Sequence, residues 1–552
     1  MAILTASISS GQVTLFVAFL WSVLAYLFSE YLHLTRPPRR DEDEEARTSE
    51  ADKLLPNGDA KPAASGNGAA AGGGSPADDS SHSSGKAYGA HNSMLESMAS
   101  SGLVSCLLLK RSALLQHRLV LRQVVEFGLL MLWYFLADRT TIVPEGEKSY
   151  SRDVFVFIFV VLTSVAVGSS IRTFKMPLLL NRPQTEEWKG WMQVLFLLYH
   201  YFEAKEVYNA IRIFIAAYVW MTGFGNFSYY YKTGDFCIGR FAQMLWRLNF
   251  LVFFTCVMLR NSYMLYYICP MHTIFTVFVY VALAIAPQLN TNHGWLFVKI
   301  LLCFAFIFVT WDLKPVFYAI WSPLKFLLGY SDPRNPTDDV LHEWYFRSGL
   351  DRYIWVYGML CALMHPTAAA ILKFIDELPA IRRYTVRTIV LAACGVAGYV
   401  YYITIYCKPK YEYNQVHPYT SWIPITLWII VRNMTPNLRI YSLRLYGWLG
   451  CITLETYISQ FHIWMKTDVP DGQPKSLLVL IPGYPLLNFA LVSGLYVLVS
   501  HRLFDLTNGL KNVAVPHSNN AMLLRNVILM AVSSVALWSC VAALYTTAGK
   551  LF

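Results

Sequence analysis

The sequence predicts an all-α polytopic membrane protein with about 13–14 transmembrane helices. Three observations carry that prediction. Of 552 residues, 55% are hydrophobic and 14% charged, whereas about a quarter of an ordinary soluble domain is charged. Mean hydropathy is +0.39. The apolar residues also arrive in long blocks that recur nearly to the C-terminus, and about 20 such residues suffice for a helix to cross the hydrocarbon core.

The first span runs from Gln12 to Leu34. It lacks an A-x-A-like cleavage site and is longer than the apolar region of a signal peptide, so residues 1–36 read as a retained anchor. "RPPRRDEDEEARTSE" and a Gly/Ala/Ser tract follow, too poor in apolar residues to bury a core. Residues 37–103 therefore read as a disordered linker. Two accessory spans are expected in 104–185, near 119–138 and 153–171. Ten core spans fill 186–500, near 190–204, 206–226, 241–259, 270–287, 295–312, 353–373, 387–407, 418–434, 445–466 and 477–499. Residues 501–552 read as an amphipathic segment and a last span near 523–546. The stretch from Lys314 to Arg352 contains the polar cluster "DPRNPTDD", with room for part of it to re-enter the membrane.

Basic residues orient the chain. Arg36, Arg39 and Arg40 follow the first span, and Lys110, Arg111, Arg118 and Arg122 precede the second. The positive-inside rule then places the linker in the cytosol and the N-terminus in the lumen. Alternation puts the basic stretches 172–182, 382–387 and 432–444 in the cytosol as well. The net charge of +10 reads as this loop asymmetry rather than as a nucleic-acid signal. The ten cysteines are scattered without a CxxC pair, so neither a disulfide framework nor a metal site is expected.

Ionisable groups inside apolar spans are the first candidates for chemistry, because burying them in a membrane is costly. In "EWKGWMQVLFLLYH", ten residues separate Lys189 from His200. In a helix that sets the imidazole about 16 Å deeper than the cation. His200 suits a general base, a proton shuttle or an acyl acceptor; the structural alternative is a histidine bonded to a neighbouring helix. Glu203 shares its helix face if the helix continues, and otherwise lies in a turn. Arg212 is a further cation within an apolar stretch. Arg240 and Arg247 are seven apart and so stack on one face. Lys189, Arg240 and Arg247 converging at one mouth would suit a polyphosphate ligand; the alternative is snorkelling of positive-inside residues. His417, before Pro418, opens a span on the far side. Glu455 and His462, seven apart, share a face. Arg347, Asp351 and Arg352 cluster in "FRSGLDRY", where an Arg–Asp pair could simply neutralise itself.

A basic residue, ten residues and then histidine in the first core helix resembles the signature of the membrane acyltransferase family 3. The Arg240/Arg247 pair opening a later helix resembles that family's next feature, and ten core helices match its size. The strings "EWKGWMQVLFLLYHYF", "IRIFIAAYVWMTGFGNFSYY", "EWYFRSGLDRYIWVYGML", "HPYTSWIPI" and "LETYISQFHIWM" resemble, in order, the reduced wall acetylation proteins of plants. Those belong to a wider group named for the capsule-acetylation protein of a yeast pathogen.

That resemblance implies a Golgi-membrane protein serving O-acetylation of cell-wall polysaccharides such as xylan and pectin. It implies cytosolic acetyl-CoA as co-substrate and a lumenal acceptor. Some relatives carry a lumenal hydrolase-like domain with GDS and DxxH motifs. The nearest strings here, "GDA" and "DSSH", lie in the linker. A separate lumenal acetyltransferase is then the expected partner. In this reading Lys189, Arg212, Arg240 and Arg247 hold the cofactor, while His200, Glu203, His417 and His462 act on the acetyl group. A transporter of acetyl-CoA and a scaffold for lumenal acetyltransferases are the competing readings.

Overall fold

A computed structural model describes residues 7–35, 102–331, 337, 339–467, 469–517 and 519–548. The expected linker lies outside the described residues up to residue 101. The main helices are α1 (Ser10–Leu34), α2 (Arg118–Arg139), α3 (Arg152–Ser169), α4 (Arg182–Phe202), α5 (Tyr208–Thr233), α6 (Ile238–Leu259), α7 (Ile268–Ala284) and α8 (His293–Ile307). They continue as α9 (Ile354–Glu377), α10 (Ala380–Tyr401), α11 (Lys410–Thr420), α12 (Trp422–Asn433), α13 (Arg444–Cys451), α14 (Thr453–Ser459), α15 (Pro485–Ala514) and α16 (Asn520–Ala548).

Among the described residues, ten helical segments are long and apolar enough to cross a membrane. The protein is a helical, polytopic membrane protein. The other expected spans take different forms. α4 carries Arg182, Glu186, Glu187 and Lys189 in its first half, and α7 has 17 residues. The span expected at 418–434 is two helices, α11 and α12, that meet at Ser421. Pro418 and Pro424 flank that break, and each removes a backbone donor from the ladder. The span expected at 445–466 is α13, α14 and a π turn, Gln460–Trp464. Between α8 and α9 lie three short helices, Lys314–Trp321, Lys325–Leu328 and His342–Leu350. α15 runs unbroken through residue 500.

The chain divides into two compact units, residues 17–125 and a larger one of residues 1–16 and 126–552. In the smaller, Ala25 and Leu32 pack with Leu114, and Cys106, Leu109, Leu115 and Leu121 surround them. Glu30 and Arg118 pair at 3.1 Å.

In the larger unit, bulk and its absence are both used. Trp220, Trp311, Trp344 and Trp355 are fully buried. Two crossings depend on glycine. A Cβ on Gly190 of α4 would lie 1.8 Å from the Tyr446 carbonyl oxygen, and one on Gly450 of α13 would lie 1.9 Å from that of Glu186. Gly223 of α5 and Gly358 of α9 meet the Trp355 and Trp220 carbonyls in the same reciprocal way. Small residues let membrane helices bring their backbones together, and the first crossing fixes α4.

Short antiparallel strands sit near the two ends of α4. β1 (Glu145–Glu147), β5 (Ser476–Leu478) and β4 (Met465–Lys466) form one sheet, in register Glu145↔Leu478 and Met465↔Leu477. β2 (Ile171–Thr173) pairs β3 (Tyr441–Leu443) in register Ile171↔Leu443.

Candidate functional site

α4 starts and stops on local signals. The Asn181 side chain accepts from the Gln184 amide at 2.9 Å, and Pro183 occupies the first turn. The helix ends at Phe202 because Glu203 adopts left-handed backbone angles, φ 54° and ψ 43°. Glu203 is therefore the C-cap and does not continue the face that carries His200. Its exposed carboxylate pairs with Lys205 at 2.9 Å, which holds it below the usual carboxylate range. Of the two readings left open for Glu203, the structure has the turn and not the shared face with His200.

Lys189 lies in the first half of this helix and His200 near its C-terminal end. Both are half-buried. Among the described residues, the Lys189 ammonium has neither a hydrogen bond nor an ion pair. Its electrostatic neighbours are Glu186, Arg182 and Arg247, and Glu186 is already bound to Arg182 at 2.8 Å. The His200 imidazole lies among the Phe196, Tyr199 and Phe461 rings, with centroids 4.7, 5.0 and 6.0 Å away. Its ring nitrogens have no hydrogen-bond partner among the described residues.

Arg240 and Arg247 project from α6. Arg247 is bound through both terminal nitrogens to Glu455, one contact being 2.7 Å, and lies 4.8 Å over the Phe504 ring. Arg240 lies 4.8 Å over the Tyr229 ring, and its Nε is buried without a partner. Lys511 of α15 has both arginines as electrostatic neighbours. Lys189, Arg240 and Arg247 thus belong to one cationic cluster, to which the structure adds Lys511 and Arg182. Glu455 turns inward to Arg247; no contact joins it to His462.

Arg212 does not join that cluster. It is buried and paired with Asp351 at 2.8 Å. The other oxygen of Asp351 faces His417 Nε2 at 3.4 Å, and His417 Nδ1 lies 3.1 Å from the Tyr413 hydroxyl. The Tyr401 hydroxyl follows at 3.3 Å. Asp351 thus finds its cation on α5 rather than within "FRSGLDRY". Arg347 pairs with Glu343 at 2.7 Å and Arg352 with Asp312 at 2.8 Å.

His462 sits in a closed ring of hydrogen bonds. Its Nδ1 lies 3.0 Å from Asp138 and its Nε2 2.5 Å from the Tyr266 hydroxyl. Asn261 donates to that hydroxyl at 2.9 Å and accepts from Arg139 at 2.9 Å. Arg139 closes the ring on Asp138 at 2.5 Å. Every member is buried. The Phe461 ring separates this network from His200. Asp138 and Arg139 escaped the sequence reading, although an acid and a base ending an apolar span are a signal in themselves.

Lys148, after β1, is a third residue the sequence did not single out. Its ammonium donates to the His200 carbonyl at 3.2 Å and to the Pro474 carbonyl at 2.9 Å. Burial pushes this amine down to about 8. Among the described residues, no group of His, Cys, Asp and Glu is placed to hold a metal ion.

The family model described as the 10 TM acyl transferase domain found in Cas1p matches residues 86–528. A curated relative, N-acetylneuraminate (7)9-O-acetyltransferase of Danio rerio, is 33% identical over 423 residues. The match covers 72% of this chain and 51% of the relative, so the chain spans about half of that protein's length. No solved structure matches.

Proposed function

Because the chain belongs to the family of 10 TM acyl transferases found in Cas1p, we propose that it is the membrane component of a sugar O-acetylation system. It takes acetyl from acetyl-CoA on the cytosolic side and passes it to a hydroxyl on the lumenal side. The activity named for the fish relative, O-acetylation of N-acetylneuraminate, supports a sugar hydroxyl as acceptor. The resemblance to plant reduced wall acetylation proteins supports a Golgi location and cell-wall polysaccharides, reached through a separate lumenal acetyltransferase.

The observation that carries this reading is the state of α4. This helix carries in its first half a lysine with no ion pair of its own and near its C-terminal end an imidazole without a hydrogen-bond partner, among the described residues. Polyphosphate binding needs open cations, and acyl transfer needs an open nitrogen. Lys189 and Arg240 hold the CoA phosphates, with Arg247 and Lys511 adding to the positive field. The pantetheine arm carries the thioester about 16 Å inward to His200. There the free imidazole nitrogen attacks the thioester carbon. The C–S bond breaks, and the thiolate takes the proton from the other ring nitrogen. The acceptor hydroxyl then attacks the acyl-imidazole and returns a proton to the ring. In a direct transfer His200 instead takes the hydroxyl's proton as that oxygen attacks the thioester.

The test uses purified protein in lipid vesicles, with CoA labelled on the acetyl carbon or on the adenine and supplied at one face. Acetyl label crossing, or staying on the protein, without adenine supports transfer. Arrival of both labels together would make the protein a transporter and remove the role given to His200.

A further inference from the structure

Away from α4, the turn between α9 and α10 holds a second group of cations that the transfer chemistry does not use. Asp376, in the last turn of α9, accepts from Arg387 at 2.5 Å and from Arg439 of the short helix Pro436–Ile440. Arg383 donates to the Asp376 backbone carbonyl at 3.2 Å. Arg387 and Arg439 are 9% and 3% exposed. The Nε groups of all three arginines are buried and have no acceptor among the described residues. Lys373 and Glu377, in the same stretch of α9, pair with each other at 3.8 Å and cancel. Two buried guanidiniums therefore share one carboxylate, and a third, half-buried, is bound to a backbone carbonyl. Such an excess of buried positive charge is costly unless an anion answers it.

We infer that this cluster binds the phosphate of an anionic phospholipid headgroup. α9 and α10 are both parts of segments long and apolar enough to cross a membrane, and only Leu378 and Pro379 join them. The apex of such a hairpin lies where headgroups meet water. Phe374, Ile381 and Tyr384 flank the cluster with 64%, 82% and 62% of their surface exposed, an apolar bed for acyl chains. Guanidinium is also the side chain best shaped for phosphate, and basic pockets between spans recognise lipid headgroups. A soluble phosphate would offer the same oxygens but would leave that apolar surface uncovered.

The test presents full-length protein, delipidated in detergent, with phosphatidylglycerol, phosphatidylcholine, inorganic phosphate or acetyl-CoA, and counts bound species by native mass spectrometry. Phosphatidylglycerol is retained in preference to phosphatidylcholine, and neither phosphate nor acetyl-CoA displaces it. Arg387→Gln weakens that retention about tenfold, as expected for one charge-assisted contact. Arg383→Gln, which breaks only a bond to a backbone carbonyl, gives the same reading where Arg387→Gln does not fold. Equal retention of the two lipids, undiminished binding in the folded variants, or displacement by inorganic phosphate would overturn the assignment.

Discussion

Lys189, His200 and Arg240 and the groups in the Asp351 and Asp138 networks face the same problem, charge inside a membrane protein, and solve it differently. Arg212, Asp351 and His417 answer one another, as do Asp138, Arg139, His462 and Tyr266. All of their polar side chains point inward to partners. Lys189, Arg240 and His200 have no such partners and remain half-buried. A group that the protein has already paired is unavailable to a ligand, while an unpaired one keeps its binding or proton-accepting capacity. Paired centres should therefore govern folding, and the open groups should govern turnover.

The largest effect should come from breaking a paired centre. Asp351→Ala leaves Arg212 buried without its counter-ion, at a cost of about 3–5 kcal/mol. Thermal unfolding in detergent and the yield of folded protein should both fall. An unchanged melting temperature would blur the contrast between the two kinds of site. Gly190→Ala comes next: its new Cβ would meet the Tyr446 carbonyl oxygen at 1.8 Å, so α4 and α13 must separate. Overpacking of this kind costs about 1–3 kcal/mol. Because α4 carries both open groups, transfer should fall even in the protein that still folds.

Smaller effects belong to the open cations. Lys189→Ala and Arg240→Ala should each raise KM for acetyl-CoA about tenfold while leaving kcat and the melting temperature near those of the parent. The KM of the parent should rise with salt, and less so in the variants. A fall in kcat without a change in KM would detach these cations from the cofactor.

A separate effect is a pH dependence of stability. Folding lowers the Lys148 amine from 10.5 to about 8. Between those values the unfolded chain holds the proton that the folded chain has released, so stability rises with pH across the window. Below about pH 8 the folded protein carries the full cost of the buried charge. Lys148→Met should therefore be the more stable protein near neutrality, and the difference should close as pH rises toward 10. A difference that is flat with pH would show that Lys148 does not change its protonation on folding.

Much of the architecture was legible because a membrane imposes a single length scale on helices. The expected spans near 119–138, 153–171 and 241–259 lie within three residues of α2, α3 and α6 at each end. Two later spans were misread as continuous, because hydropathy does not register the break at Ser421 or the π turn at Gln460–Trp464. The cation-to-imidazole spacing on α4 was legible as well, since helical rise alone sets it. Glu203 was legible only as a choice between a shared face and a turn, because spacing allows both and the left-handed cap decides for the turn. Pairings were the least accessible part. Asp138 and His462 are 324 residues apart, and nothing local in either stretch names the other. The same holds for Arg212 and Asp351, where the nearby Arg347 and Arg352 were the more obvious partners and proved to be engaged elsewhere.

The most direct test of the contrast is His200→Ala in full-length protein, with acetyl-CoA affinity, melting temperature and acetyl transfer all measured on one preparation. Affinity and melting temperature should match those of the parent, and transfer should fall at least about a hundredfold. Transfer that persists at the parental rate, or a loss that comes only with unfolding as in Asp351→Ala, would contradict the role given to His200.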